Sequence, residues 1–353
     1  MADYRHFEYE RTLAKMELKA LGAAQVREVA GGYSFVHSNP LHIATRATYF
    51  ADVMVDGEVI PAAQRHIELE HLKSRGGSRR QATRFGVHGF HEYKGKFNPQ
   101  LARALINIVD ASAQALVDPF AGSGTAVLEA QRLGLAASGR DRSPIAAFIA
   151  DVKTEALTFG DHQALMKRLA AFSVQVGDAL KRGQDTEELA VVPWLHTSSQ
   201  VYLSQWFTTN AFGGLTAALA LHRGSSRPLH ERLSLLAISS ILRGASLQDP
   251  QDLRVRRRKD AFVAPPLRDL YLERIDRFMI GLGELEPLGA ARARVTVGSA
   301  HDGDLFQNLG GGRRLIVRSL PMPQPSPTST RTGCLCWRLV SPHPSNYGRW
   351  KSR

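Results

Sequence analysis

Residues 113–157 alternate short apolar runs with helical patterns, and this alternation constrains the fold more than any other feature. AQALVDPF and LAASGRD predict strands around Asp118 and Asp141, and the stretches that begin at Thr125 and Ser143 predict helices. Strand, helix, strand, helix with short connections is typical of a parallel sheet covered by helices. The sequence therefore predicts an α/β fold with a doubly wound, Rossmann-like sheet.

The remaining chain divides around this core by its pattern. Residues 1–80 mix a helical stretch with strand-like runs and end in basic, Gly-rich sequence, which predicts an N-terminal α/β extension. The core begins in residues 81–160 and regains strand character in residues 291–318, and the mostly helical residues 161–290 form an insert between them. Residues 319–353 contain no acid and no sustained period, which predicts an aberrant, disordered tail.

The net charge of +12 is unevenly distributed. Eight of the 45 Lys and Arg residues follow Asp304, where no acid occurs, so that residues 1–312 carry only +4. Bulk charge is therefore weak support for nucleic-acid binding. The two cysteines, Cys334 and Cys336, are too few for a disulfide framework, and no apolar run approaches the roughly 20 residues of a membrane span. Because the chain also starts on charged residues rather than a signal peptide, we expect a cytoplasmic protein without a membrane partner.

The loop DPFAGSGT, residues 118–125, brings two glycines directly after a predicted strand. It lacks the Lys-Ser/Thr pair of a P-loop, and Val127 stands where a dinucleotide fingerprint has its third glycine. S-adenosylmethionine has no pyrophosphate, and it is bound through Gly backbone and acidic side chains. Asp118 and Asp141, at the ends of two neighbouring strands, supply such acids at the sheet edge where open α/β folds bind ligands. A tight strand-to-helix turn without a ligand is the structural alternative.

A basic run, LRVRRRKD, lies within the helical insert. A solvated surface loop and a set of phosphate contacts to a nucleic acid both agree with it. Under the second interpretation the contacting residues are Arg254, Arg256, Arg257, Arg258 and Lys259.

Two further clusters favour structural interpretations. His88, His91 and Glu92 do not have the spacing of zinc motifs, so no metal site is predicted. The aromatic residues around Trp206 favour core packing over a surface that stacks a flipped base.

The segment Phe85–Thr154 resembles the cofactor-binding region of the amino DNA methyltransferases, which modify adenine N6 or cytosine N4. The loop follows the family pattern D-P-F-x-G-S-G-T, and HGFHEYKGKFNPQL is similar to the segment that precedes this loop in the family. The resemblance implies S-adenosyl-L-methionine (AdoMet) as cofactor and DNA as partner, and it favours cytosine N4. It implies that Asp141 binds the ribose. The residues implied for the methionine end are Lys96, Phe97 and Pro99, and those for the cofactor loop are Asp118, Pro119, Phe120, Gly122, Ser123, Gly124 and Thr125.

The resemblance also implies a restriction-modification role, with a cognate restriction endonuclease encoded nearby. The sequence indicates no partner subunit. An RNA methyltransferase that modifies a guanine or adenine amine would share the same loop and catalytic motif, and it stays an alternative.

The family's catalytic motif is a Ser, Asn or Asp followed by Pro-Pro and an aromatic residue, and it is expected after the strand that ends at Val317. The chain instead reads Arg318-Ser319-Leu320-Pro321-Met322-Pro323. Synonymous codons from Ser319 onward, read one base earlier, allow Pro-Pro-Tyr followed by an acid-containing, aromatic-rich sequence. We therefore hypothesise a frameshift near Val317–Ser319, which displaces the motif around Ser319 and Pro321. The alternative is a truncated remnant that binds the cofactor without catalysis.

Overall fold

A computed structural model describes residues 1, 4, 6–63, 83–186, 192–193, 195–224, 227–249, 256–258, 260–285, 291–302, 305 and 312–317. The predicted tail, residues 319–353, and most of the basic, Gly-rich stretch that ends the N-terminal extension lie outside these ranges.

The described part of the N-terminal region, up to residue 63, combines two helices with two antiparallel hairpins. Its elements are α1 (Glu8–Ala20), β1 (Ala24–Val29), β2 (Gly32–Val36), α2 (Pro40–Arg46), β3 (Asp52–Val55) and β4 (Glu58–Pro61), with β1 paired to β2 and β3 to β4. Helix α2 was not predicted from the sequence. It starts because the Asn39 side chain accepts a hydrogen bond from the His42 amide and Pro40 occupies the first turn.

The core contains a four-stranded parallel sheet in the order β7-β6-β5-β8, which confirms the predicted α/β fold. Its elements are α3 (Pro99–Asp110), β5 (Ala115–Asp118), α4 (Thr125–Arg132), β6 (Ala136–Asp141), α5 (Pro144–Leu157), β7 (Ala293–Val297) and β8 (Arg314–Ile316). Alternate residues of β5 face opposite sides of the sheet. Leu116 packs with the apolar side chains of α3, α4 and α5, whereas Val117 packs with Leu305 on the other face.

The helical insert separates β6 from β7 along the chain. It contains α6 (His162–Gln184), α7 (Thr197–Ser204), α8 (Thr209–Ala220), α9 (Leu229–Ala245) and α10 (Leu267–Gly283). These helices share one large apolar core with α5 and with Val87 and Phe90, so the insert packs directly on the methyltransferase-like core. Within the described ranges, no helix combines the length and apolarity that crossing a membrane requires.

The strand order reverses at β5. The chain runs outward from β5 to β6 and β7, and then returns to pair β8 with the other side of β5. In open α/β sheets such a reversal leaves a crevice beyond the carboxyl ends of the strands that flank it, here β5 and β8, where ligands bind. The residues that follow Asp118 therefore lie at this crevice.

Candidate functional site

The cofactor loop, residues 118–125, follows β5 at this crevice. Gly122 and Gly124 have φ angles of +53° and +83°, a left-handed conformation that L side chains rarely adopt. A Cβ at Gly124 would lie 2.8 Å from the Cβ of Ala150 in α5, so glycine also permits the close approach of the loop to that helix. The Gly124 amide donates to the Ala121 carbonyl at 2.8 Å, which closes the turn before α4 begins. Strand, turn and helix are thus arranged as the sequence predicts.

Asp141 ends β6 and holds the loop against the sheet. Its carboxylate accepts hydrogen bonds from the amides of Gly122 and Ser143, both at 2.8 Å and on different oxygens. Burial raises the pKa of Asp141, while these two amide donors oppose the rise. A carboxylate has about four lone-pair positions, so two acceptor positions remain for a ligand. The hydroxyl-binding role of Asp141 stays a prediction, and the structure adds a loop-fixing role that the sequence did not indicate.

Asp118 is the most buried acid of the site, with only 3% of its surface exposed. Burial raises its pKa to about 6, the Phe120 amide opposes the rise by donating to Oδ1 at 3.0 Å, and the nearby Asp141 charge adds to it. The main-chain amide contact uses one oxygen of the carboxylate. A buried carboxylate whose pKa is about 6 can be ionised at neutral pH and can then bind a cationic group such as an ammonium.

The flanking segment, residues 83–98, runs past the loop and places Tyr93 against it. The Tyr93 ring lies 3.4 Å from where a Cβ of Gly122 would stand. Burial, followed by the negative charge of Asp141, raises the pKa of the Tyr93 phenol to about 12. Sequence reasoning did not single out Tyr93, because nothing in the spacing of HEYKGKFNP shows which of its side chains turns toward Gly122. It forms a wall of the site.

Lys96 turns its ammonium back onto the flanking segment. Its Nζ donates to the carbonyls of Thr83 at 2.7 Å and His88 at 2.9 Å, which ties the two ends of the segment together. Burial lowers the pKa of Lys96 to about 7. Pro99 is buried in the first turn of α3, and Phe97 is half-buried beside it. The roles of these three residues at the methionine end stay a prediction.

His88 and His91 have partners within the protein. His88, in a 3₁₀ turn at Gly86–Gly89, shares a 2.8 Å hydrogen bond between its Nε2 and the buried carboxylate of Glu129, and His91 Nε2 lies 3.1 Å from the Ser239 hydroxyl. Burial lowers the pKa of His88 to about 3 and that of His91 to about 4, so both rings are neutral at pH 7. Over the described ranges, no three His, Cys, Asp or Glu side chains are grouped as metal ligands.

The described part of the basic run, residues 256–258, forms an isolated antiparallel bridge between Arg257 and Gln248 in the insert. The Arg258 amide donates to Leu247 and the Asp249 amide to the Arg256 carbonyl, both at 2.9 Å. Arg256 and Arg257 are exposed, and the Arg258 guanidinium lies 4.1 Å from the centre of the Phe262 ring. Arg254 and Lys259, predicted to act with them, lie outside the described residues. The three described arginines thus lie at an isolated antiparallel bridge of the insert.

The predicted position of the catalytic motif is the end of β8. The Val317 amide donates to the Val117 carbonyl at 2.9 Å, so the chain leaves β8 beside the residue that precedes Asp118. Ser319 and Pro321 lie outside the described residues, and the frameshift hypothesis concerns this same part of the chain.

The residues at the crevice agree with AdoMet as ligand. Glycine at position 122 lets the Tyr93 ring approach the loop backbone, because an added Cβ would lie 3.4 Å from that ring. Asp141 retains acceptor positions suited to ribose hydroxyls, and Asp118 is an acid suited to the amino-acid end.

Comparisons with known proteins place the similarity on this same region. Residues 90–171 match the family model described as an RMKL-like methyltransferase domain. The type II methyltransferase M.MjaII of Methanocaldococcus jannaschii is 41% identical over 69 residues, which cover 20% of this chain and 13% of that protein. No solved structure matches. The chain therefore contains a segment similar to methyltransferase domains, and its parallel sheet has the corresponding Rossmann-like methyltransferase fold.

Proposed function

We propose that the protein is an AdoMet-dependent DNA methyltransferase that transfers a methyl group to an exocyclic base amine. The observation that carries the proposal is that Asp118 and Asp141 end neighbouring strands and both fix the cofactor loop, Asp118 through the Phe120 amide and Asp141 through the Gly122 amide. The match of residues 90–171 to a methyltransferase domain supports it.

The residues around the crevice have distinct roles under this proposal. Asp141 accepts from the ribose hydroxyls while it fixes Gly122, and Asp118 receives the ammonium of the methionine moiety. Gly122 and Gly124 allow the backbone to approach the nucleoside, and Tyr93 covers the loop. AdoMet supplies a sulfonium-bound methyl group to the acceptor. The chain has to position the amine nitrogen, because proximity and alignment contribute much of the rate in such transfers.

The choice of DNA rests on the family resemblance and on the insert. The exposed Arg256 and Arg257 are suited to phosphate contacts, which position a nucleic acid without reading its sequence. M.MjaII is a type II methyltransferase, and by analogy we propose a restriction-modification role with a cognate endonuclease. Cytosine N4 is the favoured acceptor over adenine N6, and a guanine or adenine amine in RNA is the competing substrate.

Cofactor binding is tested by calorimetry with AdoMet and the full chain. Asp141→Ala should weaken binding by about 1.5–3 kcal/mol, the contribution of hydrogen bonds to a charged group. Asp185→Ala, which alters an exposed acid after α6, is the matched control and should leave the affinity unchanged. Thermal melting of Asp141→Ala separates loss of the ligand contact from general unfolding. Unchanged affinity in a folded Asp141→Ala variant would disprove the ribose assignment.

The reaction is tested with AdoMet that carries a tritiated methyl group, by comparing transfer to DNA and to tRNA. Label on DNA supports the proposal, and hydrolysis of the product DNA identifies N4-methylcytosine or N6-methyladenine. Label on tRNA alone would establish the RNA alternative. Resequencing the codons for residues 311–324 belongs beside this assay. A frame that restores Pro-Pro-Tyr would define the active protein, whereas a confirmed frame with AdoMet binding and no transfer would identify a remnant.

A further inference from the structure

Two aromatic rings stand exposed at the start of α1, in the N-terminal region that the proposed function does not use. Phe7 and Tyr9 expose 57% and 48% of their surface. Their rings stack nearly parallel, with centres 5.7 Å apart and an angle of 12° between their planes. Among the described residues, the apolar core that α1 forms with Ile43 and Tyr49 includes neither ring. The pair therefore presents flat aromatic surface to solvent.

The Phe7 side chain does not help to start the helix. Phe7 occupies the N-cap of α1, a position where Ser, Thr, Asp and Asn are common because their side chains accept from helix amides. The phenyl ring cannot accept in this way. Instead, the Glu10 carboxylate accepts from the Phe7 main-chain amide at 2.7 Å, and every residue except proline could supply that amide. Neither packing nor capping therefore explains the aromatic ring at position 7.

The charges of α1 are segregated between its two faces. Two of its three acids, Glu10 and Glu17, are buried and accept hydrogen bonds within the protein. All three of its bases are exposed and follow one another at intervals of four residues, which places them on one stripe of the helix: Arg11, Lys15 and Lys19. The outer face of α1 therefore carries an excess of positive charge, although the helix as a whole is neutral.

Two exposed carboxylates lie close to this basic stripe. Glu8 precedes it in the first turn of α1, and Glu28 of β1 pairs with Arg11 at 3.2 Å. Within the part of the chain that the structure describes, Lys15 and Lys19 have no ion-pair or hydrogen-bond partner. These two ammonium groups are therefore available to an external anion.

The rings and the two lysines lie on adjacent stripes of one helix face. An α-helix turns about 100° per residue, so Tyr9 and the exposed Met16 share a stripe, and Lys15 and Lys19 lie roughly a quarter turn from it. Surfaces that bind single-stranded nucleic acid combine cations that follow the backbone with aromatic rings on which bases stack. The bases of a duplex are already stacked on one another. The arrangement therefore suits a single strand.

We propose that the outer face of α1 binds single-stranded DNA. A base stacks on the exposed pair of Phe7 and Tyr9, and Lys15 and Lys19 contact phosphates of the same strand. The choice of DNA rests on the proposed methyltransferase function, whereas the contacts are argued from α1 alone. An acidic peptide would also attract the lysines, but it would not require the rings. A combined dependence on rings and lysines is consequently the signature of the site.

The test is fluorescence anisotropy of the full chain, without AdoMet, with a labelled oligothymidine of about 12 nucleotides and separately with a duplex of equal length. The double variant Phe7→Ala with Tyr9→Ala should weaken the single strand at least about fivefold, the lower limit for one stacked base. Its affinity for the duplex should change less than about twofold, because the duplex does not use the rings. Met54→Ala is the matched control. It removes another exposed apolar side chain of the N-terminal region and should leave both affinities unchanged.

A second pair of variants tests the charges and also covers the case in which the aromatic variant does not fold. Lys15→Gln and Lys19→Gln should each lower the slope of log affinity against log salt by about 0.7 for the single strand. Lys167→Gln, at an exposed lysine of α6, is the control and should keep the slope.

The proposal would be overturned if the aromatic variant, once folded, bound the single strand with unchanged affinity or lost affinity for single strand and duplex equally. An effect of the lysine variants alone would assign the face to a general anionic partner such as an acidic peptide. Binding of oligouridine but not oligothymidine would assign it to RNA. Methyl transfer to DNA, measured alongside, keeps the two proposals apart. Transfer without single-strand binding contradicts only the role of α1, and single-strand binding that depends on the rings, without transfer, contradicts only the proposed function.

Discussion

The cofactor loop and the flanking segment build one site by different means. The loop is held by the short-range bond of the Gly124 amide to Ala121, by the left-handed φ of its two glycines, and by the bond of the Gly122 amide to Asp141 in the next strand. The flanking segment is held by distant partners: Phe90 stacks on Phe278 in α10 with ring centres 4.5 Å apart, and the Gly86 amide donates to Glu284. The loop is therefore encoded within the neighbouring β5, α4 and β6, whereas the segment depends on the completed insert.

The largest expected effect tests the local encoding of the loop. Gly124→Ala and Gly134→Ala both place a Cβ on a left-handed residue, with φ of +83° and +81°. Only at Gly124 does that Cβ meet a neighbour, at 2.8 Å, while Gly134 has open space. We expect a loss of about 1–2 kcal/mol for Gly134→Ala from strain alone and about 2–5 kcal/mol for Gly124→Ala, where crowding adds to it. Urea unfolding measures both, and equal losses would show that contact with α5 does not restrict the loop.

A smaller effect is expected from untying the flanking segment. Lys96→Met keeps the length of the side chain but leaves the carbonyls of Thr83 and His88 without their donor. This should cost about 1–3 kcal/mol of stability and should weaken AdoMet, because Tyr93 lies on the same segment. Lys94→Met, at an exposed position of that segment, is the control. If AdoMet affinity were unchanged in Lys96→Met, the two hydrogen bonds of Lys96 would stabilise the segment without contributing to cofactor binding.

The same contrast explains what the sequence could predict. The strand ends at Asp118 and Asp141 and the strand-to-helix turn of DPFAGSGT follow from local rules, and the structure confirms them. The positions of Tyr93 and Lys96 depend on which way a segment without regular period turns. The strand-like run before Val55 shows a related failure, since most of it packs as a loop around buried Tyr49 and Phe50, and only Asp52–Val55 pairs as β3.

The pH dependence of AdoMet affinity tests the charge on the loop. Because burial raises the pKa of Asp118 to about 6, the folded protein without ligand takes up a proton on this carboxyl as the pH falls through about 6. If the ionised form binds the ammonium of AdoMet, the affinity should be constant above that value and fall up to tenfold per pH unit below it, about 1.4 kcal/mol per unit. Calorimetry between about pH 5 and about pH 8, a range that includes the expected midpoint, measures AdoMet affinity as a function of pH. Asp118→Asn should bind more weakly and show no such inflection, and an inflection that persists in that variant would assign the titration to another group.

The smallest expected effect concerns the contact between Tyr93 of the flanking segment and Gly122 of the cofactor loop. Tyr93→Phe keeps the ring that lies against Gly122 and removes only the hydroxyl, so AdoMet affinity should change less than about twofold. Tyr93→Leu removes the flat aromatic face and should weaken AdoMet by about 0.5–1.5 kcal/mol, the range for aromatic contacts beyond their buried area. If Tyr93→Phe were instead as weak as Tyr93→Leu, the hydroxyl beside Asp141 would be the contact that matters. The segment would then act on the cofactor through a hydrogen bond to the carboxylate or the ligand, and the local encoding of the loop would be insufficient to form the ribose site.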